Sequence, residues 1–183
     1  MKKLPTKIYD AWLLKPKVFG DARGFFLETW NRDKFREIGL DLDFVQDNQS
    51  HSAKGVLRGL HYQIGDAAQG KLVSVGGGEV FSVMVDLRRS SPTFGAWDGY
   101  TLNTNAHERL YIPPGCAHGF LVTSETCDFF YKVTKPYNPQ AERALRWNDP
   151  DLAIAWPLAV GVEPILSDKD KAATSFAECE KYD

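Results

Sequence analysis

"GGGEVFSVMVDLRRSSPTFG", Gly76 to Gly95, carries the plainest structural signal in the chain. Its centre, "VFSVMVDL" at 80–87, is a run of aliphatic, β-branched and aromatic residues of strand length. Three glycines precede it, and "RRSSPTFG" at 88–95 follows with the residues that make turns. The glycines lack the lysine and helix of a phosphate-binding loop, so they read as a tight hairpin.

The same alternation of strand and turn extends in both directions. "FFLETW" at 25–30, "KLVSV" at 71–75, "ERLYI" at 108–112, "GFLVTS" at 119–124 and "CDFFYKVT" at 127–134 have strand composition. "NTNA" at 103–106 and "PPG" at 113–115 separate them. One short helix is predicted: Asn31 caps Arg32 to Ile38, with Phe35 and Ile38 on one face and Gly39 as the stop. Many short strands at this spacing predict an all-β sandwich or barrel, and a jelly roll is the form that encloses a small-molecule cavity. Beyond Pro136 the prolines at 139, 150 and 157 interrupt any long helix. There Glu142 to Trp147 reads as a strand or bridge, and the rest as an arm with short helical turns across the barrel.

The 183 residues suffice for one substantial core, and a single domain is expected. Lys plus Arg number 22 against 24 Asp plus Glu, so no global field gathers nucleic acid or an anionic membrane. Any anionic ligand must be held by locally placed cations. No stretch reaches the roughly 20 apolar residues of a membrane helix, and Pro5, Lys7 and Asp10 interrupt the region a signal peptide would need. A cytoplasmic protein is expected. Cys116, Cys127 and Cys179 show no paired spacing, which predicts neither a disulfide framework nor a thiolate zinc site.

The polar residues suit proton transfer. In "RGLHYQ", strand alternation sets His61 and Gln63 on one face and Arg58 on the other, so Arg58 and His61 share a pocket only if the strand bulges near Gly59. His118 follows "PPGCAHGF" at a strand end, where pocket mouths find their side chains. A metal-binding cupin would carry a second histidine beside His61; here that place holds Gly59 and Leu60, so no metal is expected. Histidine titrates near neutral pH and serves as a base when a carboxylate fixes its tautomer, and Asp168 and Asp170 of "LSDKD" are both candidates. Tyr131 is either a core residue or a proton donor. Lys71 is either a surface cation or the holder of an oxyanion or phosphate, and Arg23 either a turn residue or an anion contact.

Taken together, the segments "VFGDARGFFLETWN", "FVQDNQSHSAKGVLRGLHYQ", "AQGKLV", "GEVFSVMVDLRRSSPTFGAW", "YIPPGCAHGFLV", "YKVT", "YNPQAERALRWNDPDLAIAWP" and "ILSDKD" closely resemble the dTDP-4-dehydrorhamnose 3,5-epimerase family over about Ile8 to Phe176. The resemblance implies a cupin-like jelly roll acting on a dTDP-4-keto-6-deoxy sugar, with no cofactor. It implies His61 as base paired with Asp170, Tyr131 as proton donor on the opposite face of the sugar, and Lys71 near the C4 oxygen with His118 as a further contact. Arg23, Phe26, Glu28, Gln46, Asn48, Arg58, Gln63, Tyr137, Glu142 and Lys169 are implied as substrate-binding residues, Arg23 and Arg58 for the diphosphate. A homodimer is implied, with residues 1–15 as an exchanged arm and 136–183 as a C-terminal extension.

Departures from the family pattern are Ser74 where an arginine is expected, Gly77 where a charged or amide residue is expected, and Gly65 to Ala68 where a proline and histidine often stand. They would remove cations near one wall, which bears on substrate preference. The alternatives are a mono-epimerase of a related dTDP-4-keto sugar and a non-catalytic sugar-binding jelly roll.

Overall fold

The computed structural model describes residues 1–183. In chain order the elements are β1 (Lys2–Pro5), β2 (Trp12–Lys15), β3 (Val18–Asp21), β4 (Gly24–Leu27), α1 (Arg32–Glu37), β5 (Gln46–Ala53), β6 (Leu57–Gln63), β7 (Lys71–Gly77), β8 (Glu79–Asp86), β9 (Trp97–Asn103), β10 (Arg109–Ile112), β11 (Cys116–Val122), β12 (Thr126–Val133), β13 (Glu142–Ala144) and α2 (Asp168–Lys171). One sheet has the order β1-β2-β10-β7-β12-β5 and a second β13-β6-β11-β8-β9, while β3 and β4 pair only with each other. Their antiparallel faces close on one another as a cupin-like jelly roll, the all-β architecture expected. No helix is long and apolar enough to cross a membrane.

The run at 80–87 is apolar almost throughout because both faces of β8 are covered. Val80 and Met84 point inward, where they join Leu102, Cys116, Phe120 and Val122 of the same sheet against Leu13, Val73, Val75, Leu110, Ile112 and Phe129 of the other. Val83, Val85 and Leu87 point outward under the C-terminal arm, whose Leu145, Leu152, Trp156 and Cys179 cover that face. The outer face of the six-stranded sheet is capped by α1: Phe35 and Leu40 lie on Leu14, Leu72 and Tyr111. Asn31 caps this helix as expected, its side chain accepting from the Lys34 amide at 3.2 Å.

"FFLETW" is a strand only as far as Leu27, in a hairpin with β3 that joins neither main sheet; its Phe25 ring meets His107 of the β9–β10 connection at 4.4 Å between centroids. Residues 1–15 form β1 and β2 at the edge of their own chain's six-stranded sheet. The outer edge of β1 and both edges of the hairpin 18–27 lack a strand partner within the chain.

Strand β6 contains the bulge on which the site depends. His61 lies opposite His118, whereas Arg58 lies opposite Phe120, so β6 spends one more residue than β11 across that interval. The extra residue turns Arg58 to the inner face while Leu57, Leu60 and Tyr62 stay in the outer core. Gly59 makes this possible: it has φ +119°, and a Cβ there would stand 2.5 Å from Gly119 Cα.

Candidate active site

One cavity of about 620 Å³ opens between the sheets. His61 comes from β6 on one wall, Lys71 and Tyr131 from β7 and β12 on the other, and Asp170 from α2 at the rim. Gln46, Asn48, Arg58, Gln63, His118, Tyr137, Glu142 and Lys169 also line it, so twelve of the fifteen residues implied by the resemblance converge on a single space.

His61 and Asp170 form its most ordered pair. His61 Nε2 lies 2.5 Å from Asp170 Oδ1, and Ser167 Oγ donates to Asp170 Oδ2 at 2.7 Å. Ser167 is also the N-cap of α2, accepting from the Asp170 amide at 3.2 Å. Burial alone would raise the Asp170 carboxyl, but the bonds from His61 and Ser167 outweigh it and hold the group below its usual value. An ionised Asp170 accepts from Nε2–H, which leaves His61 Nδ1 with a free lone pair and no protein partner. Asp168, the other candidate, is fully exposed and bonds only Lys171.

Lys71 Nζ donates to the His61 carbonyl at 3.1 Å. Burial lowers its pKa to about 8, with Glu142 pulling the other way. Tyr131 sits on β12 with its phenol pushed above the ordinary range by burial, so it remains protonated at neutral pH. His118 is buried, its Nε2 3.0 Å from Ser82 Oγ and its ring stacked on Phe129 at 5.9 Å between centroids.

A second polar group edges the mouth. Glu142 accepts from Lys169 Nζ at 2.7 Å and from the Tyr137 hydroxyl at 2.8 Å. Burial would raise the Glu142 carboxyl, but those two donors bring it below its usual value. Gln46 accepts from the Tyr137 amide at 2.9 Å and donates to Asn48 Oδ1 at 2.7 Å, and Arg58 Nε donates to Ser52 Oγ at 3.0 Å. Gln63 is a strut: Nε2 donates to the Ala67 and Pro136 carbonyls, while Oε1 accepts from the Asn138 amide at 2.8 Å.

Arg23, Phe26 and Glu28 do not line the cavity within the single chain. Arg23 pairs with Asp21 at 2.6 Å at the tip of the β3–β4 hairpin, and Glu28 pairs with Lys34 at 2.9 Å. Phe26 is 69% exposed. The departures at 74 and 77 also lie off the cavity. Ser74 faces outward and accepts from Arg109 Nη1 at 2.8 Å, which returns a guanidinium to that face, and Gly77 lies against Asp128. The cations and acids of the cavity are untouched by either change.

Two chemistries are disfavoured by the donors themselves. No group of three or more His, Cys, Asp or Glu side chains is placed to hold a metal. Cys116 is buried with its thiol pushed up to about 12, far from a thiolate nucleophile. Ser167, Ser82, Ser52 and Ser50 are site residues that the sequence did not single out. Of these only Ser167 had a readable signal, a cap residue at the head of "SDKD".

Comparison with known proteins converges on one family. The family model for dTDP-4-dehydrorhamnose 3,5-epimerase matches residues 5–178. The dTDP-4-dehydrorhamnose 3,5-epimerase of Pseudomonas aeruginosa is 52% identical over 183 residues, spanning 100% of this chain and 99% of that one. A dTDP-6-deoxy-D-glucose-3,5-epimerase from Legionella pneumophila, solved in complex with dTDP-4-keto-L-rhamnose, is 47% identical with a TM-score of 0.93, covering 98% of this chain and 94% of the other. A 3'-monoepimerase from Streptomyces bikiniensis in complex with dTDP-quinovose is more distant, at 34% identity and a TM-score of 0.88 over 94% and 87% of the two chains.

Proposed function

The chain belongs to the dTDP-4-dehydrorhamnose 3,5-epimerase family, and from that premise we propose how its cavity inverts C3 and C5 of dTDP-4-dehydro-6-deoxy-D-glucose to give dTDP-4-dehydro-L-rhamnose. The C4 ketone acidifies the hydrogens on both neighbouring carbons, because the electron pair left by either proton delocalises onto the ketone oxygen. His61 Nδ1 takes the proton, and Asp170 supports the imidazolium that results. The Lys71 ammonium meets the developing oxyanion. Tyr131 returns a proton to the opposite face of the carbon; His61 then releases the proton it took to solvent and the tyrosinate recovers one from solvent. One round at each centre completes the reaction without a change of oxidation state, and these four residues with solvent account for every proton moved.

The observation that carries this reading is that the His61–Asp170 pair and Tyr131 stand on opposing sheets around one cavity. A base and an acid on the same wall would exchange a proton without inverting the centre. Incubation with the ketosugar nucleotide, followed by proton NMR of the product, tests it: the coupling constants of a 3,5-inverted ring are expected, and recovered starting sugar would refute it.

The diphosphate falls to Arg58, held by Ser52, and to an arginine from a second chain. A two-stranded ribbon exposing Val18, Phe19, Phe25 and Phe26 is marginal alone and calls for a covering surface. In this proposal the protein is a homodimer whose hairpin crosses to the neighbour and carries Arg23, Phe26 and Glu28 to that chain's cavity. The whole chain acts as one catalytic domain. A cytoplasmic location is part of the reading, supported by three buried free thiols and no disulfide.

A further inference from the structure

The inner row of β8 runs Val80, Ser82, Met84, a hydroxyl between two core residues. Ser82 is fully buried, and its Oγ has a single side-chain partner, His118 Nε2 at 3.0 Å. A hydroxyl carries one hydrogen, and a neutral imidazole one N–H, so only two arrangements exist. If Nε2–H donated to Ser82, the serine hydrogen would be left without an acceptor where water does not reach, a defect native interiors avoid. If Ser82 donates to Nε2, its hydrogen is used, and the ring proton must sit on Nδ1, which has no partner in the protein.

The ring plane is fixed by stacking on Phe129 at 19° and by Phe120 at 35°. The titratable groups facing it are Lys71 from β7 and His61 from β6. Burial and these two hold the imidazole well below its ordinary range, so the ring is neutral. A serine, unlike a carboxylate, does nothing to offset that.

We propose that Ser82 is a positioning residue that fixes His118 as the Nδ1–H tautomer, so that the ring offers the cavity a hydrogen-bond donor beside Lys71. Where that donor acts, on the oxyanion formed at C4, rests on the function proposed above; the tautomer does not. The device gives the oxyanion one charged and one uncharged donor, and it spares the cavity a second cation next to Lys71.

The test is the nitrogen-15 spectrum of histidine-labelled protein without substrate, with the His118 signals assigned by their loss in His118→Gln. The wild type is expected to show a protonated Nδ1 and a bare Nε2. Ser82→Thr keeps the hydroxyl and should keep that pattern and the rate. Ser82→Ala should give mixed tautomers and lower kcat about three- to tenfold with KM nearly unchanged, the size of one neutral hydrogen bond. Ser82→Asp, an acceptor only, should move the proton to Nε2. A proton on Nε2 in the wild type overturns the proposal, as does a wild-type pattern in Ser82→Ala. Loss of turnover in a wild type that shows the expected tautomer would refute the epimerase reading and leave the role of Ser82 standing.

Discussion

Lys71 Nζ is bonded to the backbone carbonyl of His61 at 3.1 Å, so the ammonium rides on the strand that carries the base. Its pKa of about 8, set by burial, places its charge at risk just above neutrality. kcat/KM, which reports the free enzyme, is therefore expected to fall as pH rises through about 8. Lys71→Met should lower kcat by about 10² to 10³ and abolish that limb of the profile. An unchanged alkaline limb in the variant would assign it to another group.

Stability should respond to the same group with the opposite sign. Between about 8 and the unperturbed 10.5 the unfolded chain binds a proton at Lys71 that the folded chain does not, so this residue's contribution to stability rises with pH across that window. Below about 8 the cost of the buried ammonium is present in full. Lys71→Met should accordingly be more stable than wild type at pH 7 by about 1 to 3 kcal/mol, with the gap closing toward high pH. Urea unfolding of both proteins at several pH values checks it.

Asp170 behaves as the mirror case. Its folded pKa lies below the unperturbed 3.8, so its carboxylate stabilises the fold above that value and the contribution fades as pH falls through the lower folded one. Asp170→Asn should lose stability at pH 7 relative to wild type and approach it in acid. Activity should drop by about 10² to 10⁴, because an amide neither supports an imidazolium nor fixes which nitrogen is bare. Ser167→Ala, which removes one bond to the carboxylate, should cost less in both respects; a loss equal to that of Asp170→Asn would mean Ser167 acts on the substrate directly.

How far the residues themselves revealed this can be seen strand by strand. β8 and β7 were legible because their composition records burial on both faces, and β12 because its aromatic and β-branched run marks a strand. β5 was not, although it is a strand of eight residues. Its inward positions Gln46, Asn48, Ser50 and Ser52 are polar because they face the cavity or hold Arg58, so the alternation that marks a half-buried strand is absent. Function erased the structural signal there, as expected where a site lines a sheet. Placing Arg58 beside His61 needed a bulge at Gly59, which alternation demanded but could not supply. The choice of Asp170 over Asp168 came from resemblance alone; the physical reason is the turn of α2, which buries one carboxylate and leaves the other in water. Arg23 reads from its turn as either a turn residue or an anion contact, and the resemblance adds Phe26 and Glu28; a single chain brings none of the three to its own cavity.

Mixing two inactive variants separates the contributions of the two chains. If the hairpin crosses, Arg23→Ala and His61→Asn, each inactive alone, should regain activity when co-refolded. A mixed dimer then contains one cavity with His61 intact and a wild-type hairpin over it. Absence of any recovery in a population shown to contain mixed dimers would place Arg23 elsewhere.

Tyr131→Phe bears on the division of labour between the walls. His61 can still remove a proton and return it to the same face, so solvent exchange should persist while inversion fails. Wild-type inversion in this variant would identify a different acid.

The most direct measurement is the fate of hydrogen at C3 and C5 when wild-type protein converts dTDP-4-dehydro-6-deoxy-D-glucose in deuterated water. The predicted product carries deuterium at both carbons, each inverted. A sugar left undeuterated at both positions after long incubation with folded protein would contradict proton transfer by this cavity.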